Sequence, residues 1–121
     1  MRTIIAGSRN FNDYELLCAV IESCPWEITT IVSGKARGAD SLGEKYAKDN
    51  DIPVDEFPAN WNLHGKGAGP IRNQQMAENA EALIVLWDGI STGTKDMISR
   101  ARKSNLKIMI YIYTTGKLVF N

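Results

Sequence analysis

Four short stretches of the chain hold residue types that together could grip an anion. They are Gly7-Ser8-Arg9 with Phe11 behind it, Ser33-Gly34-Lys35-Ala36-Arg37-Gly38-Ala39-Asp40, the segment Pro70 to Asn73 with Arg72, and Trp87-Asp88-Gly89-Ile90-Ser91-Thr92-Gly93-Thr94. Glycine lets backbone amides approach a bound group closely, serine and threonine add hydroxyl donors, and arginine can hold a phosphate in a two-pronged fork. One such loop alone is explained by the needs of a tight turn. Three of them at strand-to-helix turns, with arginines attached, point to a ligand site. The residues expected to line it are Gly7, Ser8, Arg9, Ser33, Gly34, Arg37, Asp40, Arg72, Asn73, Gly89, Ser91, Gly93 and Thr94; the aromatic rings of Phe11, Trp61 and Trp87 either pack in the core or rim or offer stacking surfaces for a base, Trp61 being the better stacking candidate because it sits in a loop. Asp88 and Asp40 are the carboxyl groups able to act as acid or base, and Asp40 can equally be a helix N-cap. His64, a lone loop histidine, reads as surface. Neither G-x-G-x-x-G after the first strand nor G-x-x-x-x-G-K-[ST] is present, which removes the ordinary dinucleotide-dehydrogenase and P-loop readings.

Positioning these loops requires elements that alternate along the chain. Arg2 to Ala6 reads as a buried strand. Asn12 is expected to cap a helix, with Glu15 closing a capping box, and Pro25 to end it. Ile28 to Val32 is a second strand, followed by a helix with Asp40 as its cap and Leu42, Tyr46 and Ala47 turned inward. Ile52 to Phe57 is a short edge strand. Pro58 to Gly69 shows no regular pattern, Pro70 opens a helix to about Asn79, and Ala82 to Trp87 is the most apolar strand. A helix burying Met97, Ile98 and Ala101 leads to a strand over residues 107–114, and Thr115-Gly116-Lys117 turns into an antiparallel partner at 118–120. The fold class is therefore α/β, a Rossmann-like three-layer sandwich in one domain over residues 1–121: five strands in a mostly parallel sheet, extended by a C-terminal antiparallel strand.

Composition narrows the function further. The chain has 121 residues, 14 Lys and Arg against 14 Asp and Glu, a formal net charge of +0 and pI ≈ 6.6. That balance argues against bulk attraction to nucleic acid or an anionic membrane. No apolar run approaches the roughly 20 residues of a membrane helix, and the N-terminus reads as a strand, so the expected compartment is the cytoplasm, including that of a bacterial host if a phage carries the chain. Cys18 and Cys24 lie roughly 9 Å apart along one helix and are expected to stay unbridged as small core residues. A single histidine and no cysteine cluster leave no ligand set for zinc, and no metal or cofactor is expected as a requirement.

The four blocks Gly7-Ser8-Arg9-x-Phe11, Ser33-Gly34-x-Ala36-Arg37-Gly38-Ala39-Asp40, Ala68-Gly69-Pro70-x-Arg72-Asn73-x-x-Met76 and Trp87-Asp88-Gly89-x-Ser91-x-Gly93-Thr94, in this order, resemble the YspA/YpsA-related branch of the SLOG superfamily (DUF2493). The resemblance implies a Rossmann-like pocket for a nucleotide-derived ligand, often in a homodimer, and kinship with the DNA-processing protein and the LOG phosphoribohydrolases. LOG enzymes continue their glycine-rich motif to a glutamate that assists glycosidic cleavage. Here Met97 stands at that position, and Asp96 lies about 100° away around the helix. The sequence thus favours binding of a nucleotide derivative, as a sensor or sequestering protein, over hydrolysis of an N-glycosidic or phosphoester bond. Single-stranded nucleic-acid binding is a third reading, weakened by the zero net charge.

Overall fold

The computed structural model describes all residues, 1–121. Its elements are β1 (Arg2–Gly7), α1 (Tyr14–Glu22), β2 (Thr30–Ser33), α2 (Ala39–Asp49), β3 (Val54–Glu56), α3 (Trp61–His64), a 3₁₀ turn (Gly65–Gly67), α4 (Ala68–Glu78), β4 (Ala82–Trp87), α5 (Thr92–Lys103), β5 (Lys107–Ile112) and β6 (Lys117–Phe120). The strands form one sheet in the order β3-β2-β1-β4-β5-β6, parallel throughout except for the β5–β6 hairpin. The chain winds outward from β1 to β3, then returns to lay β4 against the other side of β1. A crevice opens where the winding reverses, between the carboxyl ends of β1 and β4, and ligands of open parallel sheets bind at such a point.

Alternation along the strands divides the core in two. Ile4, Val32, Leu83, Val85, Ile108 and Ile110 face α4 and α5 and pack on Met76, Ala77, Met97, Ile98 and Ala101. Ile5, Ile31, Ile84, Leu86 and Met109 face the opposite side and pack on Leu17, Val20, Ile21, Tyr46 and Ala47 from α1 and α2. β4 is buried from Ala82 to Leu86, which accounts for its unbroken apolar run. No helix is long and apolar enough to cross a membrane.

The element boundaries depart from expectation in ways that bear on the site. Asp13, not Asn12, caps α1, accepting from the Leu16 amide at 3.1 Å, so Glu15 is one place too early for a capping box. Asp40 is no cap either: α2 begins at Ala39 with Gly38 before it, and the Asp40 carboxylate lies inside the first turn. The stretch 58–69 is less irregular than its pattern implies. Asn60 caps α3 by accepting from the Leu63 amide at 3.0 Å, and α4 starts at Ala68, which places Pro70 third in its helix rather than first. β3 covers only Val54–Glu56, and β5 ends at Ile112. Both cysteines are free and half-buried at the edge of the α1 core rather than within it.

Candidate functional site

A cavity of ≈ 680 Å³ occupies the crevice at the carboxyl ends of β1 and β4. That volume falls within the range of small-molecule sites. Its walls come from the β1–α1 turn (Gly7 to Asn10), the N-terminal ends of α2 (Ala36, Asp40), α4 (Gly69, Pro70, Arg72, Asn73) and α5 (Ser91 to Thr94), and from Trp61 and Lys66. Three helix N-termini therefore open on one space. None of the three has a side chain bonded to its first-turn amides from the capping position. With no capping side chain at these ends, the aligned helix dipoles direct partial positive charge toward the space. Arg9 and Lys66 add two full charges. The Arg9 guanidinium stands 5.9 Å from the centroid of the Trp61 ring, which is half exposed on the cavity wall.

The loops are held in place by bonds that cross between elements. Asp88 accepts from the amides of Ile90 at 2.9 Å and Ser91 at 2.7 Å and from the Ser91 hydroxyl at 2.6 Å. The buried Ser8 hydroxyl accepts from the Asp88 amide at 3.0 Å and lies 3.2 Å from the Ser91 hydroxyl, tying the β1 turn to the β4 turn. Burial raises the Asp88 pKa, but the bonds from Ser91, Ile90 and Ser8 outweigh it and bring the group down to about 2. A carboxylate so committed holds a turn and has little basicity for proton transfer. On the opposite wall Arg72 is buried, donating to the Gly34 carbonyl and, at 3.0 Å, to the Asn73 side chain. Asn73 in turn donates to Asp96 at 2.9 Å, and Arg100 donates to the same Asp96 oxygen at 2.9 Å.

Asp40 is 5% exposed and accepts a long bond, 3.3 Å, from the Ala36 amide. Burial pushes its pKa up to about 6, against the opposing pull of the Arg72 charge and the Ala36 amide. The folded chain thus holds a proton that the unfolded chain has released between about pH 4 and 6, so this group's contribution to stability falls as pH rises through that window. The Asp40→Asn variant is expected to lose this fall, which is on the order of 2 kcal/mol. Urea unfolding of both proteins at several pH values measures it, and a wild-type-minus-variant difference that stays flat or climbs from pH 4 to 6 contradicts the assignment.

The residues singled out in the sequence divide into two groups. Gly7, Ser8, Arg9, Asp40, Trp61, Arg72, Asn73, Ser91, Gly93 and Thr94 line the one cavity. The others do not reach it. Phe11 is buried in the α1 core with its ring 5.0 Å from that of Tyr113. Ser33 is buried and donates to Glu44 at 2.6 Å. Gly34 lies behind Arg72, and Arg37 is exposed and outside the cavity lining. Trp87 bonds through its ring nitrogen to the Ser91 carbonyl at 3.1 Å on the other side of the β4 turn, and Asp88 and Gly89 shape that turn. Asn10, Ala36, Lys66, Gly69, Met76, Thr92, Asp96 and Met97 line the cavity without having been singled out as binding residues. Asp96 and Met97, adjacent on α5, both line it. No group of three or more His, Cys, Asp or Glu is placed to hold a metal ion.

The YAcAr family model, for YspA, cpYpsA-related SLOG proteins, matches residues 1–64. The chain belongs to that family. Within this SLOG match lie the first two glycine-rich turns and Trp61, while Arg72 and Gly93 fall beyond it. The SLOG chain is 28% identical over 118 residues to the Gene 61 protein of Mycobacterium phage D29, an alignment covering 89% of this chain and 94% of that relative. Its fold is similar to that of DNA processing protein A (DprA) from Streptococcus pneumoniae, with a TM-score of 0.73 at 17% identity over 91% of this chain. The chain spans 50% of the DprA chain, and the likeness is one of fold.

Proposed function

We propose that this SLOG protein binds a nucleotide or nucleotide-derived ligand and acts as a sensor or sequestering protein. The observation that carries the reading is the meeting of three uncapped helix N-termini, Arg9, Lys66 and the exposed Trp61 ring on one cavity. Helix ends and guanidinium suit a phosphate, and an indole face suits a base. In this reading the phosphate lies against the Thr92–Thr94 amides and the base takes the place of the Arg9 guanidinium over Trp61.

Thermal unfolding with AMP, ADP-ribose and ribose 5-phosphate tests it. A ligand at a hundred times its dissociation constant stabilises the protein by roughly 2.7 kcal/mol. Arg9→Ala is expected to weaken all three ligands about tenfold, a loss of roughly 1.4 kcal/mol. Trp61→Ala should weaken AMP and ADP-ribose and spare ribose 5-phosphate. Arg37→Ala, outside the cavity lining, should bind as the wild type does. If none of the three compounds shifts the midpoint at millimolar concentration, the reading fails; free base accumulating during incubation would instead assign the cavity to hydrolysis.

A further inference from the structure

The balanced net charge conceals a strong segregation. Residues 92–121 carry six Lys or Arg and one Asp, a net of +5, while residues 1–91 carry eight and thirteen, a net of −5. The ion pairs follow the same division: Arg2–Asp55, Lys35–Glu44, Lys35–Glu56 and Lys45–Asp49 all lie in the acidic part, and the basic part contains only Arg100–Asp96. Lys95 and Lys103 have no acidic partner, and Arg102 meets only the neutral side-chain amide of Asn121 at 2.9 and 2.7 Å.

These three cations rim a second groove, ≈ 440 Å³, whose floor is Trp87, Ile98 and Ile110. The fold explains why it is open. α5 packs on this face of the sheet across β1, β4 and the near side of β5, but β5 turns directly into β6, so no crossover helix between them covers the outer edge. Trp87, Ile112 and Val119 pack against the core there and remain only half-buried. The groove thus occupies the place where a further helix would lie, apolar below and cationic above.

We infer that this groove docks an acidic polypeptide segment of a partner protein, carrying apolar side chains that face Ile98, Ile110 and Trp87 while its carboxylates meet Lys95, Arg102 and Lys103. The inference is independent of the nucleotide cavity, which lies beyond the N-terminal end of α5. A polypeptide fits better than a nucleic acid. Two of the three apolar floor residues, Ile98 and Ile110, are aliphatic and suit apolar side chains rather than bases, and the Trp87 ring is tied through its nitrogen to the Ser91 carbonyl at 3.1 Å.

The test is fluorescence anisotropy with a labelled 12-residue peptide of alternating Glu and Leu, against a 12-residue oligoglutamate and a 12-nucleotide oligothymidylate. The alternating peptide is expected to bind more tightly than either comparator, to weaken several-fold as salt rises, and to weaken at least tenfold in Lys95→Glu/Arg102→Glu/Lys103→Glu. The milder pair Lys95→Gln/Lys103→Gln, which leaves the last turn of α5 free of added negative charge, should show the same direction. AMP-dependent stabilisation should persist in both variants. Absence of peptide binding at 1 mM, binding that ignores the substitutions, or tighter binding of the oligothymidylate overturns the inference. So does salt-sensitive self-association by light scattering that the variants abolish, since the occupant would then be a second copy of this chain.

Discussion

Gly38→Ala is expected to lower the unfolding free energy by about 3 kcal/mol or more, and the thermal midpoint by roughly 10 °C. Gly38 has φ +75° and ψ −124°, a backbone region that side chains with a Cβ rarely adopt. A Cβ there would stand 2.3 Å from the Ser8 carbonyl oxygen and 2.6 Å from that of Arg9. Neither oxygen can retreat at little cost, because the Ser8 carbonyl already accepts from the Phe11 amide at 3.2 Å and the Ala39 amide at 3.4 Å, and Ser8 itself is clamped to the β4 turn. Backbone strain and backbone collision therefore add. The displaced part is the turn that carries Arg9, so ligand binding should fall with stability. Gly93→Ala is the control. Its Cβ would meet nothing within 4 Å, and the position is helical, so stability should hold or rise by up to about 1 kcal/mol. Urea midpoints for the two variants measure the contrast, and a Gly38→Ala cost under about 1 kcal/mol would show that the turn is more compliant than its bonds imply.

The same turn shows why the architecture was legible and the site only partly so. Strands and helices declare themselves through repeated local signals, as the buried run Ala82–Leu86 and the inward Met97, Ile98 and Ala101 do, and right-handed connection of alternating elements then leaves few arrangements. Glycine-rich turns likewise mark the carboxyl edge of the sheet. What sequence spacing does not encode is which way a loop residue points. Arg37 and Arg9 look alike as cations beside glycines, yet Arg9 lines the cavity and Arg37 is exposed outside its lining. Phe11 was open to two readings for a similar reason. An aromatic after a polar turn can stack on a ligand or close the core, and here the packing of Tyr113 from a distant segment decides for the core. Trp61 was legible as an aromatic in a loop, whereas Lys66 reaches the site from the 3₁₀ turn that follows the four-residue α3, segments too short to leave a periodic trace, although Asn60 three residues before Leu63 is a cap signal that could have located them.

Arg72→Ala should cost about 3 kcal/mol, far more than the loss of any exposed arginine. Arg72 is 9% exposed, and its guanidinium serves three neighbours: it donates to the Gly34 carbonyl and to Asn73, and its charge opposes the burial penalty on Asp40. Truncation leaves the carbonyl and the amide oxygen without a donor inside the protein and the carboxyl without a compensating cation. Arg72→Lys should recover little, because an ammonium cannot make the divergent bonds of a guanidinium. The pH dependence distinguishes this account from simple loss of packing. With the Arg72 charge gone, only the backbone amides still oppose the upward push of burial on Asp40, whose pKa must rise further, so the pH-dependent fall in stability extends to higher pH than in the wild type. In Arg72→Ala/Asp40→Asn that extension should disappear, and the double substitution should cost less than the two single losses combined. Urea unfolding of the four proteins at pH 5 and pH 7.5 closes the cycle. Strict additivity at both values would mean that Arg72 and Asp40 do not sense one another, and that the cavity wall is held by the Gly34 and Asn73 bonds alone.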